Sequence, residues 1–289
     1  MSLLSILLAL LIEHFFGPLR QWRRFEWFIR WGDWIYQHMP ASSWRDGPLG
    51  VIALLGVPLF VLALVLGALD EIGWLLSFPF GVVVLLYCLE GRDFEDDIEA
   101  ALSSLDSDDP EAAFLHARGI LSREVVEAEG EFAAHLRRGV LVFSNERLFA
   151  PLFWFLVLGP LGAVLFRLTC VARSAEGERE VDYRGTLNWL HTILVWPAAR
   201  LLALGYALGG NFVDAMAHWH GPRDFFRRPS DELLVDTGLG ALGQGPAASG
   251  EGETSVGRDA VRETLALVRR TVVVWITALA ILTLAGWAA

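Results

Sequence analysis

The chain has 289 residues, 54% of them hydrophobic, with a mean hydropathy of +0.44 and a formal net charge of −11. A soluble domain of this length covers itself with polar side chains, so such an apolar excess excludes an ordinary soluble enzyme. The negative charge disfavours nucleic acid, whose phosphates would be repelled. All 23 basic residues are arginine, which removes a Walker lysine, a Schiff base and a lysine general base.

Residues 2–16 form a short apolar segment with Glu13 and His14 near its end. It lacks the basic start and small-residue cleavage site of a secretory signal, and is read as a retained helix. Along 20–38, Trp22, Phe25, Ile29 and Ile35 are interspersed with Arg23, Arg24 and Arg30, and five of the twelve tryptophans fall between 22 and 44. Indoles and arginines favour the headgroup zone, so this predicts a helix lying along the cytoplasmic interface; core aromatics are the plainer alternative. Residues 49–69 are uncharged, as are 72–89 around Pro79. Each run is long enough to cross a bilayer core, which takes ~20 helical residues. Only Asp70 and Glu71 separate them, which predicts a tight hairpin with an acidic tip in water.

From 90 to 147 the chain carries fifteen acids against six arginines. Phe94, Ile98, Leu102 and Leu105 recur with helical period, Asp109–Pro110 reads as an N-cap and N1 pair, and Ser122 caps a third helix with Val125, Phe132 and Leu136 on one face. A small helical cytoplasmic segment at 90–146 follows. Its acidic clusters (Asp93, Glu95, Asp96, Asp97 and Glu99; Asp106, Asp108 and Asp109) lack calcium-loop spacing and predict a solvated face, or one that docks a cytoplasmic protein through 90–147.

Further spans are expected at 147–170, at 191–209 (shortened by Pro197 and carrying Arg200) and at 272–288. If all six apolar segments cross, 18 of the 23 arginines, Arg147 included, lie on the cytoplasmic side, with both termini opposite; a re-entrant 191–209 fits less well. The predicted fold is an all-α polytopic transmembrane bundle of four to six spanning helices, with the interfacial helix and the cytoplasmic segment. Its divisions are 1–89, 90–146, 147–209, 210–270 and 271–289.

Residues 236–258, rich in Gly, Ala and Ser, are read as a flexible linker. Gly238, Gly240 and Gly243 spell GxGxxG there, without the strand and helix start a dinucleotide site needs. Gly205 and Gly209 form GxxxG, a close-packing device for membrane helices. Cys88 and Cys170 read as small buried hydrophobes. His116, His135, His218 and His220 show no metal-ligand grouping beyond the HxH at 218–220, so no metal is predicted. Glu13, His14, Arg167 and Arg200 are costly in hydrocarbon unless paired. Arg200, in mid-segment, is expected to face the interior or a polar cavity, with Glu13 or Glu146 as its carboxylate partner.

The block from Asn145 to Ala163, NERLFAPLFWFLVLGPLGA, resembles the AmpE family of bacterial inner-membrane proteins linked to β-lactamase induction. The resemblance extends to LLALLIEHFFGPLRQWR near the start, to WPAARLLALGYALGGNF, and to the closing Arg269-Arg-Thr-Val-Val-Val. Its most specific part is Ala150, Pro151, Leu152, Phe153 and Trp154. The AmpE family is in turn similar to the CobD/CbiB membrane enzymes of cobalamin biosynthesis, which make an amide bond to an aminopropanol arm with ATP. Arg123-Glu124 resembles that family's Arg-Asp pair, Pro151-Leu-Phe-Trp its PLFW, and Arg167 and Arg200 fall on arginines of the pattern. Val142-Phe143 stands where ENTxDG has Glu-Asn, Glu146 replaces its Asp, and Cys170-Val-Ala-Arg-Ser is what remains of NTxDSM.

The resemblance thus implies an inner-membrane signalling modulator tied to β-lactamase induction and peptidoglycan recycling, without catalytic residues or a cofactor. Glu13, Arg123, Glu124, Glu146, Arg167 and Arg200 would line a remnant or repurposed polar site. The alternatives are a CobD-like amide-forming enzyme using nucleotide and Mg, and a transporter of cell-wall fragments, for which no internal repeat is found.

Overall fold

A computed structural model of the chain describes residues 2–16, 24–38, 47–107, 109–121, 129–175, 181–219, 222–243 and 254–285. Among them every regular element is helical. In chain order these are α1 (Ser2–Phe16), α2 (Glu26–His38), α3 (Pro48–Ile72), α4 (Trp74–Cys88), α5 (Gly91–Asp106), α6 (Pro110–Ala117), α7 (Glu129–Ser144), α8 (Ala150–Ser174), α9 (Val181–Gly209), α10 (Phe212–Ala217), α11 (Pro222–Arg227), α12 (Ser230–Ala241) and α13 (Thr254–Leu284). A π-helical turn, Asn145–Phe149, links α7 to α8. Among the described residues five segments are long and apolar enough to cross a membrane: Pro48–Ile72, Leu75–Asp106, Phe132–Ser174, Tyr183–Gly209 and Gly257–Leu284, with Leu3–Glu13 shorter. The chain is an all-α polytopic membrane protein, as its apolar runs predict.

The helices divide into two compact units. The first joins Met1–Glu90 to Ala150–Val195. Here α3 and α4 pack on one another with Gly73 alone between them, at φ 133. Only glycine adopts that backbone without strain. Asp70 and Glu71 therefore sit in the last turn of α3, and the chain turns one step later than expected. α8 packs against α1, α2, α3 and α4. One core cluster joins Phe25, Phe28 and Ile35 to Val51 and Leu54 of α3, Leu168 of α8 and Leu187 of α9. The amphipathic helix expected at 20–38 begins at Glu26, and Trp22 and Arg23 lie outside the described residues.

Inside α8, Gly159 leaves helical geometry (φ 65, ψ −154) just before Pro160. Proline disfavours the helical conformation at the residue before it, and a glycine there absorbs the break. The span expected at 147–170 is thus two helical pieces. Its start also differs, since helix continues from Glu129 through the π-helical turn into α8. No glycine or proline stands between 140 and 150 to stop it, and the wider turn accommodates one extra residue.

The second unit joins Gly91–Phe149 to Trp196–Trp287. Phe94, Ile98, Leu102 and Leu105 of α5 are buried, as their period predicts. Asp109 caps α6, its Oδ1 accepting from the Ala112 N–H at 3.0 Å, with Pro110 at the first position. Phe132 and Leu136 are buried on α7, while Ser122 and Val125 lie outside the described residues. The last helix begins at Thr254 rather than near 272 and packs along α7. α9 continues through Pro197 for 29 residues, which makes it long enough to span.

The linker expected at 236–258 is corrected at its two ends, while 244–253 lie outside the described residues. Residues 236–241 belong to α12, and helix resumes at Thr254. Glycine at 238 and 240 serves close approach there: a Cβ on Gly238 would lie 2.5 Å from the Leu141 side chain, and one on Gly240 2.9 Å from the Asp214 carbonyl oxygen. The GxxxG pair does pack helices. A Cβ on Gly205 would meet Thr271 of α13 at 2.7 Å, and one on Gly209 would meet its hydroxyl at 3.1 Å.

Candidate functional site

The polar residues singled out from sequence fall in both units. In the first unit Glu13 is buried on α1. Arg167 of α8 donates to the Glu90 carboxylate, with both side chains mostly buried, and its guanidinium lies 5.2 Å from the centre of the Phe25 ring. A buried cation needs such a partner, because its desolvation is otherwise uncompensated. Sequence placed Glu90 at the head of the acidic segment rather than opposite an arginine. Its signal was its position at the end of an apolar run, where a carboxylate can reach an arginine of a neighbouring span.

Nearby residues form a second polar chain. The Trp27 indole N–H donates to the Tyr87 hydroxyl at 3.0 Å, and that hydroxyl donates to the Arg24 carbonyl at 2.8 Å. Sequence reasoning also missed a couple between α8 and α9. Arg173 donates to Nδ1 of His191 at 2.5 Å, and the His191 ring stacks on Phe166. The clue available was that Arg173 lies in Cys170-Val-Ala-Arg-Ser, the segment likened to a polar motif.

In the second unit Arg200 is 4% exposed. It faces the interior, as expected, but its hydrogen-bond partners are neutral. It donates to the Ser230 hydroxyl at 2.6 Å and to the Arg228 carbonyl at 2.5 Å, and its guanidinium sits 4.8 Å from the Trp196 ring centre. The expected pairing with Glu13 or Glu146 is not found in these bonds. The Arg228 carbonyl just before α12, the Ser230 hydroxyl that opens it and a π face hold the two terminal nitrogens of the guanidinium without a carboxylate, while its Nε has no hydrogen-bond partner among the described residues. Glu146 is half-buried in the π-helical turn beside Asn145, which is buried with no side-chain hydrogen bond among the described residues. Single π turns are frequent at functional sites. Ser144, just before it, shares a 2.7 Å hydrogen bond with Tyr206. Arg123 and Glu124 lie outside the described residues.

Part of the acidic face expected to be solvated is matched inside the chain. Arg269 of α13 grips Glu95 through two nitrogens at 3.0 and 3.1 Å and reaches Glu99 at 3.1 Å; Arg258 and Arg262 reach Asp106 at 2.9 and 3.3 Å. Carboxylates committed to guanidinium groups do not fit a Mg²⁺ ion, which demands near-octahedral oxygen ligands. Glu95→Gln, which breaks the bidentate pair, should cost about 1 kcal/mol. Thermal unfolding in detergent at low and high salt checks this, and the loss should shrink as salt rises.

Comparison with known proteins gives consistent matches. A family profile described as CobD/Cbib protein matches residues 6–230. The cobalamin biosynthesis protein CobD of Stutzerimonas stutzeri (strain A1501) is 30% identical over 305 aligned positions, covering 98% of each chain. The cobalamin biosynthesis protein CobD of Chromobacterium violaceum is 29% identical over 254 positions, covering 84% of this chain and 80% of the relative. No solved structure matches significantly. These matches overturn the expected AmpE-like role in β-lactamase induction, since both relatives carry the cobalamin name. The most specific part of that expectation was the APLFW block, part of which the CobD/CbiB pattern shares.

Proposed function

Since the chain belongs to the CobD/CbiB family, we propose that it works in cobalamin biosynthesis as a polytopic enzyme of the bacterial inner membrane. The reaction is the joining of an aminopropanol arm to a carboxyl group through an amide bond, with ATP. The observation that carries this reading is the end-to-end match, 98% of each chain, to a protein named for cobalamin biosynthesis. Residue positions add support. Pro151, Leu152, Phe153 and Trp154 occupy the first turns of α8, where the Trp154 indole N–H donates to the Leu194 carbonyl at 2.9 Å. Arg167 and Arg200 are present and held by the contacts above.

The departures from the family pattern have a structural counterpart. Phe143 lies under the Arg147 guanidinium at 5.9 Å from its ring centre, so this position packs where the pattern has a polar residue. A Mg²⁺ ion, which the nucleotide would bring, has no seat among the arginine-bound carboxylates of α5.

The test is genetic. Expressed in a bacterium lacking its own CobD, the chain should restore cobalamin-dependent growth, and Arg123→Ala should lower that growth at least tenfold. Wild-type chain that inserts in the membrane at normal levels yet restores nothing would overturn the reading.

A further inference from the structure

An open groove of about 600 Å³ runs between α2 and α3 in the first unit, lined by Trp27, Arg30, Trp31 and Trp34 on one side and by Val57 and Val61 on the other. We propose that this groove is a binding site for a membrane phospholipid, with an acyl chain along α3 and the phosphate at Arg30.

The two walls differ in the way the two ends of a lipid differ. α3 is uncharged from 49 to 69, and it is a spanning segment left mostly uncovered by the rest of the protein. Its Val57 and Val61 are 46% and 53% exposed, and Phe60 and Leu64 continue the exposed apolar surface. In a bilayer that surface meets hydrocarbon. The opposite wall is amphipathic. Residues 27, 31 and 34 share one helical face; Trp27, bonded to Tyr87 in the last turn of α4, marks the headgroup end of the groove, and Val57 and Val61 lie deeper along the apolar span. Trp31 and Trp34 stack with centroids 5.3 Å apart, which gives the groove a flat, rigid side.

The polar complement is small and suits a phosphate diester. Arg30 uses one nitrogen on Glu26 at 3.1 Å, an exposed pair of the weak kind, so the rest of its fork remains for an anion. The Trp34 indole N–H has no hydrogen-bond partner among the described residues, whereas the Trp31 N–H is engaged by the Leu54 carbonyl at 3.3 Å. One cationic fork and one N–H donor above an apolar trough complement a headgroup phosphate and the start of its acyl chain. The volume lies within the ~300–1,000 Å³ typical of small-molecule sites. This inference stands apart from the cobalamin reading, because it uses none of the residues assigned to that chemistry.

The full chain is reconstituted in nanodiscs of phosphatidylcholine and phosphatidylglycerol containing a trace of diazirine-labelled phosphatidylglycerol, and adducts are mapped by peptide mass spectrometry after irradiation. Adducts should concentrate on peptides spanning 27–34 and 57–61. The groove-filling pair Val57→Phe and Val61→Phe should reduce them at least fivefold, and Arg30→Gln about threefold, with helix content by circular dichroism unchanged. These changes sit on exposed positions, so folding should survive them. Labelling spread evenly over the outward faces of α3 and α13, or indifferent to filling, would overturn the site. Labelling lost on filling but indifferent to Arg30→Gln would overturn phosphate recognition. Capture of a second protein on the groove in place of lipid would also overturn the proposal.

Discussion

Arg200→Ala is expected to destabilise the second unit by about 3 kcal/mol, the sum of a lost buried side chain and two acceptors left unpaired. The guanidinium fills the space beside Trp196 and ties α9 to the Arg228 carbonyl and the Ser230 hydroxyl. Those acceptors are 28 and 30 residues away in sequence, so their loss releases a long-range closure and not a local turn. Arg200→Lys should recover less than half of the loss, because a point ammonium cannot serve both acceptors and the indole face. Thermal unfolding in detergent, with growth of the complemented strain measured in parallel, checks both points. A melting curve within experimental error of wild type would sink the structural account. Unchanged melting with lost growth would instead assign Arg200 a direct part in the reaction.

Gly210→Ala should cost about as much, roughly 3 kcal/mol, by overpacking. A Cβ there would lie 2.4 Å from the Ala241 carbonyl oxygen and 2.9 Å from its carbon, and neither can give way as a flexible side-chain tip would. The same oxygen accepts the Asn211 N–H at 2.7 Å, so displacing it also removes a hydrogen bond at the point where α10 begins. Asn211 in turn caps α10 through Val213 and Asp214. The control is Gly185→Ala, on α9, where an added Cβ meets nothing within 4 Å. That change should be neutral or raise stability by up to about 1 kcal/mol, since alanine is the better helix former. Equal melting temperatures for the two variants would refute the close-contact argument.

Local chemistry made several features legible in advance. Apolar runs such as 49–69 cannot be exposed to water, and their length matches a bilayer, so a helical membrane fold follows without tertiary information. The burial of Phe94, Ile98, Leu102 and Leu105 follows from a period of 3.6, and the Asp109–Pro110 start of α6 from a side-chain acceptor beside a residue with no N–H.

Composition misled where it was taken for conformation. Glycines at 238 and 240 resemble a linker until Leu141 and Asp214 stand against them, and then only glycine fits a buried helix. The acids of α5 suggest a solvated surface until the arginines of α13, more than 150 residues away, come to face them. Electrostatic partners are the least readable part of such a chain, because any carboxylate can satisfy any arginine by charge alone. Arg167 took Glu90, and Arg200 took a carbonyl and a hydroxyl. Membrane residence and helix periodicity were thus determined by the chain itself, being set by neighbours in sequence. Which charge meets which, and which glycine must stay small, was decided only by tertiary structure, because both depend on groups brought together across long stretches of chain.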